Sequence, residues 1–526
     1  MKRILSIILV VSGMVLIGTS CHKDLDTVPL DKDVVTAATV FDDPANYKFV
    51  LAKLYAGLAI SGQQGPHGDP DITGIDEGFG QYLRGYWYHQ ELPTDEAVIG
   101  WNDQTIKDFH HQTWGASDVF ITAFYYRIFY QIAAVNEFIR ETSDEKLDER
   151  GVSGTLREDI GFYRAEARWL RALSYWHALD LFGNVPFVTE ADAVGFYFPP
   201  QIQRANLYAY IESELKAIEG LMKPARGNEY GRADQACTWM LLAKLYLNAE
   251  VYTGAQKYTE CVTYCDKIID AGYSLVGTFA HLFTADNGPV YANEVIFSVN
   301  FDGISTTTWG GTNFIIHAGI GGDMAPEDYG VSGGWGGTRT TSAIVNKFDD
   351  ITGATDNRAM FFTEGQALEI DDISIFNEGY AITKFTNLTS TGDPGSSLEY
   401  VDTDFPMFRL ADVYLMYAEA VLRGGTGGTH GNGEGLIDDL RTRANADPAG
   451  SIDLDFILDE RARELMWECH RRTDLIRFGK FTGGTYLWPW KGKIKEGVAT
   501  DSKYNLFPIP ASDLTANPNL VQNAGY

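Results

Sequence analysis

The sequence predicts a mostly α protein, a tetratricopeptide-like helical superhelix that supports long irregular loops and a few short strands. Three observations predict it. Over residues 119–272, and again over 408–473, apolar residues recur every three or four positions for whole helix lengths. Small residues on those stripes, such as Ala165, Ala167, Ala236 and Ala243, let neighbouring helices approach. Over about 61–115 and 300–405 the helical period gives way to glycine, threonine, asparagine and aromatic residues, as binding loops do.

In chain order, Lys2 and Arg3 precede an apolar stretch over 4–17, and Gly18, Thr19 and Ser20 lead to Cys21. The stretch is shorter than the roughly 20 apolar residues of a membrane-spanning helix. Residues 1–20 therefore read as a lipoprotein signal peptide and Cys21 as the lipidation site, with acyl chains holding the chain on a membrane. Residues 21–40 read as a tether and 41–526 as one domain. The net charge of −29 becomes −31 once Lys2 and Arg3 are removed. A chain this acidic repels nucleic acid, which is excluded as a partner. Cys237, Cys261, Cys265 and Cys469 lack the spacing of a zinc site and read as buried thiols.

The periodicity predicts helices over 44–58, 119–141, 156–181, 207–222, 233–249, 256–271, 408–422, 435–443 and 454–473, with a β-rich piece at 294–300. The tail over 507–526 reads as extended. The arginine-rich stretch 460–480 reads as an ion-pair network that locks the C-terminal helix against an acidic body.

No enzyme signature in the sequence is complete. The string GVSGG at 330–334 lacks the strand before it and the helix after it that a nucleophile elbow needs. The glycine-rich 425–435 lacks the Lys-Ser/Thr of a phosphate loop. The pairs Asp76-Glu77 and Asp95-Glu96 could serve a glycosidase, but acid pairs on loops more often bind hydroxyls or are solvated, and the chain reads as non-catalytic. Loop aromatics are the stronger signal: Tyr82, Tyr86, Trp87 and Tyr88, then Trp101, Trp114, Trp309 and Trp335. An indole face offers an apolar platform to the C–H face of a sugar ring, and planar Arg, carboxylate and amide groups bond vicinal hydroxyls. Arg84, Asp76, Asn102 and Gln104 are close in sequence to these rings. Trp114 reads as core, and Trp101, Trp309 and Trp335 as ligand contacts.

These residues stand within longer strings: CHKDLDTVP from Cys21, YRAEARWLRA at 163–172, DLFGNVP at 180–186, the whole of 460–480, and FPIP at 507–510. Together they resemble the SusD/RagB family of outer-membrane lipoproteins over nearly the whole mature chain. Further strings, ELPTDE at 91–96, GRAD at 231–234, LYLNA at 245–249 and YLWPWKG at 486–492, resemble its starch-binding members. The resemblance implies a lipid-anchored outer-membrane protein that faces the cell exterior, binds starch or α-1,4-glucan oligosaccharides without hydrolysing them, and delivers them to a TonB-dependent SusC-type transporter. It implies glycan binding by Trp101, Trp309, Trp335, Arg84, Asp76 and Gln104. Ile99 stands where the starch binders have a second tryptophan of an aromatic arc, and Gln104 where they have an asparagine. The same scaffold with another glycan or a peptide is the alternative, and a surface glycosidase the third reading. No cofactor is required for binding; the resemblance suggests a structural calcium ion near Asp402 and Asp404, while Gly288 stands where a further acid is expected.

Overall fold

The computed structural model describes residues 40–195 and 197–526, so the proposed signal peptide, Cys21 and nearly all of the tether lie outside the described residues. The chain divides into a unit Met1–Tyr47, of which 40–47 are described, and a unit Lys48–Tyr526, which holds everything discussed below.

The main helices are α1 (Asn46–Ala59), α2 (Tyr82–Gln90), α3 (Gln104–His111), α4 (Val119–Glu141), α5 (Gly154–Leu181), α6 (Arg204–Ile218), α7 (Gln235–Leu247), α8 (Tyr258–Ile269), α9 (Gly311–Ala318), α10 (Leu410–Leu422), α11 (Glu434–Arg443), α12 (Leu454–Leu465) and α13 (Arg471–Arg477). Four short strands matter here: β1 (Val98–Ile99), β2 (Val295–Val299), β3 (Thr338–Arg339) and β4 (Phe405–Arg409). Each long helix packs mainly on its neighbours in series, α4 on α5, α5 on α6, α7 on α8, α8 on α10, and α10 on α11 and α12. This is the mostly helical layout that the apolar stripes predict. Asp118, Asp234 and Asp453 cap the first turns of α4, α7 and α12 by accepting from otherwise orphaned backbone N–H groups. Ala411, Leu415, Ala418, Ile437, Leu440, Ile457 and Leu465 close one core among α10, α11 and α12.

Five expectations need correction. The tail over 507–526 is not extended throughout, since a short helix covers Ala511–Ala516, and the stretch 300–405 is not loop throughout, since α9 lies in it. The helix expected from 408 begins at Leu410, because 405–409 is strand β4, paired antiparallel with β2. The stretch 61–115 is not loop throughout, since α2 and α3 lie in it, and Tyr82, Tyr86, Trp87 and Tyr88 are buried on α2. The helix expected over 454–473 is broken between Leu465 and Arg471, with Trp467 and Cys469 in the left-handed region at φ 64° and 66°. Such a conformation costs roughly 1–2 kcal/mol per residue. Hydrogen bonds unavailable to a continuous helix offset it. Glu96 Oε2 accepts from Trp467 N (2.8 Å), Glu91 Oε1 accepts from His470 N (3.1 Å), and Lys384 Nζ donates to the carbonyls of Glu464 and Met466.

Around that break the arginine-rich segment forms the expected ion-pair network, and it is buried. Arg409 donates to Glu294, Glu464 and Glu468, and Arg358 to Asp356, Glu460 and Glu464. Arg461 bridges Asp412 and Asp474, and Lys384 pairs with Glu468. Burial alone would raise the Glu460 carboxyl, but Arg358, Arg463 and Arg441 hold it down at about 2. Burial likewise opposes ionisation of Glu419, and Arg477 and Arg423 bring it down to about 2. All four cysteines among the described residues are buried and free, as their spacing implies.

Carboxyls held below their unfolded value, near 4.3, stabilise the fold above that value and lose their contribution as the pH falls through the folded value. The urea midpoint is therefore expected to fall steeply between pH 4.5 and pH 2. At pH 7, Arg409→Met removes one buried cation from Glu294, Glu464 and Glu468, which keep only Arg443, Arg358 and Lys384 among them, and is expected to cost about 3–5 kcal/mol. A wild-type midpoint in that variant would show that the network does not support the fold.

Candidate functional site

Site geometry begins with how four separated loops are tied down. Gln81, fully buried, precedes α2. Its Nε2 donates to the C-terminal carbonyls of Leu58 and Ala59 on α1, and its Oε1 accepts from Arg84 N and Gly311 N at the starts of α2 and α9. One side chain thus serves three helix ends whose backbone groups would otherwise lack partners. Arg127 of α4 holds the loop over 61–80 through Gly80 O (2.8 Å), Ser61 O (2.8 Å) and Asp71 (3.0 Å). Arg339 of β3 donates to the carbonyls of Gly337, Ile373, Ile375 and Glu378.

The strands bring two of the tryptophans together. Asp95 is gripped by Arg471 through two 2.7 Å bonds, just before β1. β1 pairs with β3 in the register Val98–Arg339 and Ile99–Thr338, and the ladder continues through Gly100 N to Gly337 O. Trp101 follows, and its Nε1 donates to Trp335 O at 3.1 Å. The indole lies so close to Gly337 that a Cβ there would sit 2.6–2.8 Å from its ring atoms. The loop carrying Trp335 rests on the end of α9, where Trp335 N, Gly337 N and Gly336 N donate to the carbonyls of His317, Ala318 and Ile320. His317 stacks on the Trp335 ring, with centroids 5.1 Å apart and planes 17° apart.

Trp309 is held from the other side. The buried Glu77 accepts from Trp309 N (3.1 Å) and Thr308 Oγ1 (3.0 Å), and also from Ser61 Oγ. Arg84 Nη1 donates to Trp309 O at 2.8 Å, and Arg84 Nε to Tyr88 Oη at 2.9 Å. Its guanidinium lies 4.2 Å and 4.4 Å from the ring centres of Phe79 and Phe314, and within 6 Å of those of Trp101 and Trp335. A buried cation thus sits against the aromatic group. Gly78 packs directly on Trp309 and Arg84, and leaves no room for a Cβ.

The outcome is a continuous row of half-buried rings. Trp101 and Trp335 are 6.3 Å apart, Trp335 and Trp309 6.2 Å, and Trp309 and Tyr400 4.9 Å, with successive planes turned by 46°, 62° and 45°. The structure therefore brings Trp101, Trp309, Trp335 and Arg84 together. Asp76 is exposed two residues before Gly78 and accepts from Gly78 N. Gln104 is exposed at the start of α3, and its amide bonds to Asp108 on its own helix; no contact among the described residues joins it to the indoles. Ile99 is fully buried in β1 and adds nothing to the row. Trp114 is core, as expected. Tyr400 and His317 were not singled out from the sequence, and Glu77 only as half of an acid pair: a lone tyrosine or histidine in a loop carries no local signal, and only the tertiary contacts reveal what these residues hold.

The acid pairs are engaged in the framework, Asp95 with Arg471 and Glu77 with the Trp309 loop. Asp402 accepts from Gly303 N, Ser396 N and Ser396 Oγ, and Asp404 from Phe301 N and Tyr230 Oη. Burial raises the Asp404 carboxyl to about 6, partly opposed by those two donors. Gly288 adjoins Asp404 and offers no side-chain ligand. Among the described residues no group of three or more His, Cys, Asp or Glu side chains is placed to share a metal ion. The donors around Asp402 and Asp404 thus do not fit a calcium site. Neither residue caps α10, whose N-cap is Arg409.

Comparison with known proteins agrees with this architecture. A family model described as the SusD family matches residues 355–526. The chain is 36% identical to the starch-binding protein SusD of Bacteroides thetaiotaomicron, over 97% of this chain and 96% of that one. Among solved structures, surface glycan-binding protein A from Bacteroides fluxus superposes with a TM-score of 0.70 at 19% identity, covering 92% of this chain and 99% of that one. Surface glycan-binding protein A from Bacteroides thetaiotaomicron in complex with laminarihexaose gives 0.67 at 18%, covering 91% and 99%. These two likenesses are of fold.

Gly337→Ala is expected to push the Trp101 indole off its seat. Near-ultraviolet circular dichroism should change while the far-ultraviolet helical signal stays, because the strain is local to one ring. An unaltered near-ultraviolet spectrum would mean that the indole does not rest on Gly337.

Proposed function

The chain belongs to the SusD family, and from that premise we propose that it is a non-catalytic glycan-binding protein of the cell surface that captures starch or α-1,4-glucan oligosaccharides for a TonB-dependent transporter of the SusC type. The observation that carries the glycan reading is the row Trp101–Trp335–Trp309–Tyr400. Four adjacent, half-open rings offer stacking surface to consecutive pyranose faces. Their planes are turned from one another by 45° to 62°, so a flat ribbon-like glycan meets only part of the row, whereas a curved α-1,4-glucan can bend to follow it. Arg84 lies against the rings with Nη2 unpartnered among the described residues, and Asp76 is exposed two residues before Gly78, which packs on Trp309; both are suited to bonding sugar hydroxyls. The starch-binding relative at 36% identity supports the same ligand.

The non-catalytic reading rests on the acids. Asp95 and Glu77 hold Arg471 and the Trp309 loop, which leaves neither as a free partner for general acid-base work. Lipid anchoring rests on the lipobox at Cys21, and outer-membrane placement facing outward on the family resemblance. Among the described residues no helix is long and apolar enough to cross a membrane. Delivery to a transporter follows from the family resemblance.

A second reading, the same face with a different glycan, is favoured by one observation. Ile99 lies buried, so the row lacks the ring that the starch binders have at that position. A β-linked glucan is the natural comparison, since a structural neighbour holds laminarihexaose.

Affinity electrophoresis in gels containing amylopectin, pullulan or laminarin separates the two readings, with retardation expected by amylopectin and pullulan. Retardation by laminarin alone would favour the second. Trp101→Ala and Trp309→Ala are each expected to lose about 2 kcal/mol of maltoheptaose affinity, roughly 30-fold, with the fold intact. Purified protein should release no reducing sugar from starch.

A further inference from the structure

We propose that Tyr400 is a further sugar-stacking residue which, with Trp309, forms an outer subsite that longer glucan chains reach and shorter ones do not. The proposal rests on the α-glucan reading above. Tyr400 is half-buried at the end of the ring row, its ring 4.9 Å from that of Trp309, the closest pair in the row. Its hydroxyl has no hydrogen-bond partner among the described residues. Burial, followed by the charges of Glu399 and Glu77, pushes the phenol up to about 12, so it is a protonated donor at neutral pH. A ring face and a free hydroxyl side by side match the two faces of a pyranose residue, apolar C–H on one side and hydroxyls at the edge.

The rim that carries Tyr400 is built rather than loose. Asp402 Oδ1 accepts from Gly303 N (2.7 Å) and Ser396 Oγ (2.6 Å), Asp402 Oδ2 accepts from Ser396 N (2.5 Å), and Asp402 N donates to Asn387 Oδ1 (3.0 Å). The loop over 396–402 is thereby stapled to the loop over 302–306, and Gly303 packs against the Tyr400 carbonyl too closely to admit a Cβ. Asp402 is thus a positioning residue for Tyr400. A ring held in place before the ligand arrives avoids the ordering cost that weakens binding to mobile loops. From the other side, His317 links the same loop to the core, its Nε2 3.2 Å from Glu399 O.

Calorimetry of the full mature chain with maltotriose and with maltoheptaose tests the subsite. Tyr400→Ala should weaken maltoheptaose about tenfold and leave maltotriose within about twofold of wild type. Tyr400→Phe, which keeps the ring, should retain most of the maltoheptaose affinity. Asp402→Ala should reproduce the length-dependent loss, and Asp402→Asn, which still offers an acceptor, should restore part of it. Equal loss at both lengths in Tyr400→Ala would overturn the subsite, because Tyr400 would then only prop Trp309; so would wild-type affinity for both. Trp101→Ala, which should weaken both ligands, marks the main face. If the unsubstituted protein binds neither sugar, the α-glucan reading itself fails.

Discussion

A guanidinium group can leave water only if acceptors are waiting for its N–H groups, and this requirement organises the molecule. Arg127 gathers the backbone of 61–80, Arg339 gathers 373–378, and Arg84 holds Trp309. Arg471 holds Asp95, and Arg409 and Arg358 share Glu464. These guanidinium groups meet their acceptors only when segments far apart in sequence are docked at once. Buried ion pairs of this kind add little net stability over an apolar core, but leaving one partner unmatched is costly. Alternative dockings that strand a charge are thereby disfavoured, and long irregular loops are held to one arrangement.

The same requirement connects the C-terminal helices to the aromatic face. The break after α12 turns Trp467 and His470 toward Glu96 and Glu91, and Arg471 toward Asp95. Those acids precede β1. The β1–β3 ladder then sets Trp101 beside Trp335, and the end of α9 supplies carbonyls that fix the Trp335 loop. A left-handed residue in a distant helix break and an indole on the surface are thus parts of one hydrogen-bonded chain. Each ring of the row is thereby held in place by the fold itself.

Loops of this length cannot be read by periodicity, yet their ring residues were legible. Trp101, Trp309 and Trp335 stood out as indoles flanked by glycine and polar residues, and they meet on one face. Arg84 was expected from its neighbours and lies against that face. Tyr82, Tyr86, Trp87 and Tyr88 were grouped with the loop aromatics, but every residue of α2 is buried. Gln104 was expected with the rings and turns instead to Asp108. Asp402 and Asp404, matched to a calcium segment, bond protein donors.

The sequence by itself determined the long helices, the family and the identity of the ring side chains. These follow from local spacing, from the chemistry of single residues and from strings held intact. Tertiary structure alone decided which rings are open, where α12 breaks and what holds the loops. The partners that settle those matters, Asp95 and Arg471, Glu77 and Trp309, Asp402 and Gly303, lie far apart along the chain. A local pattern reports only a segment's own preference, whereas burial of a charge is decided by whichever segment arrives to meet it.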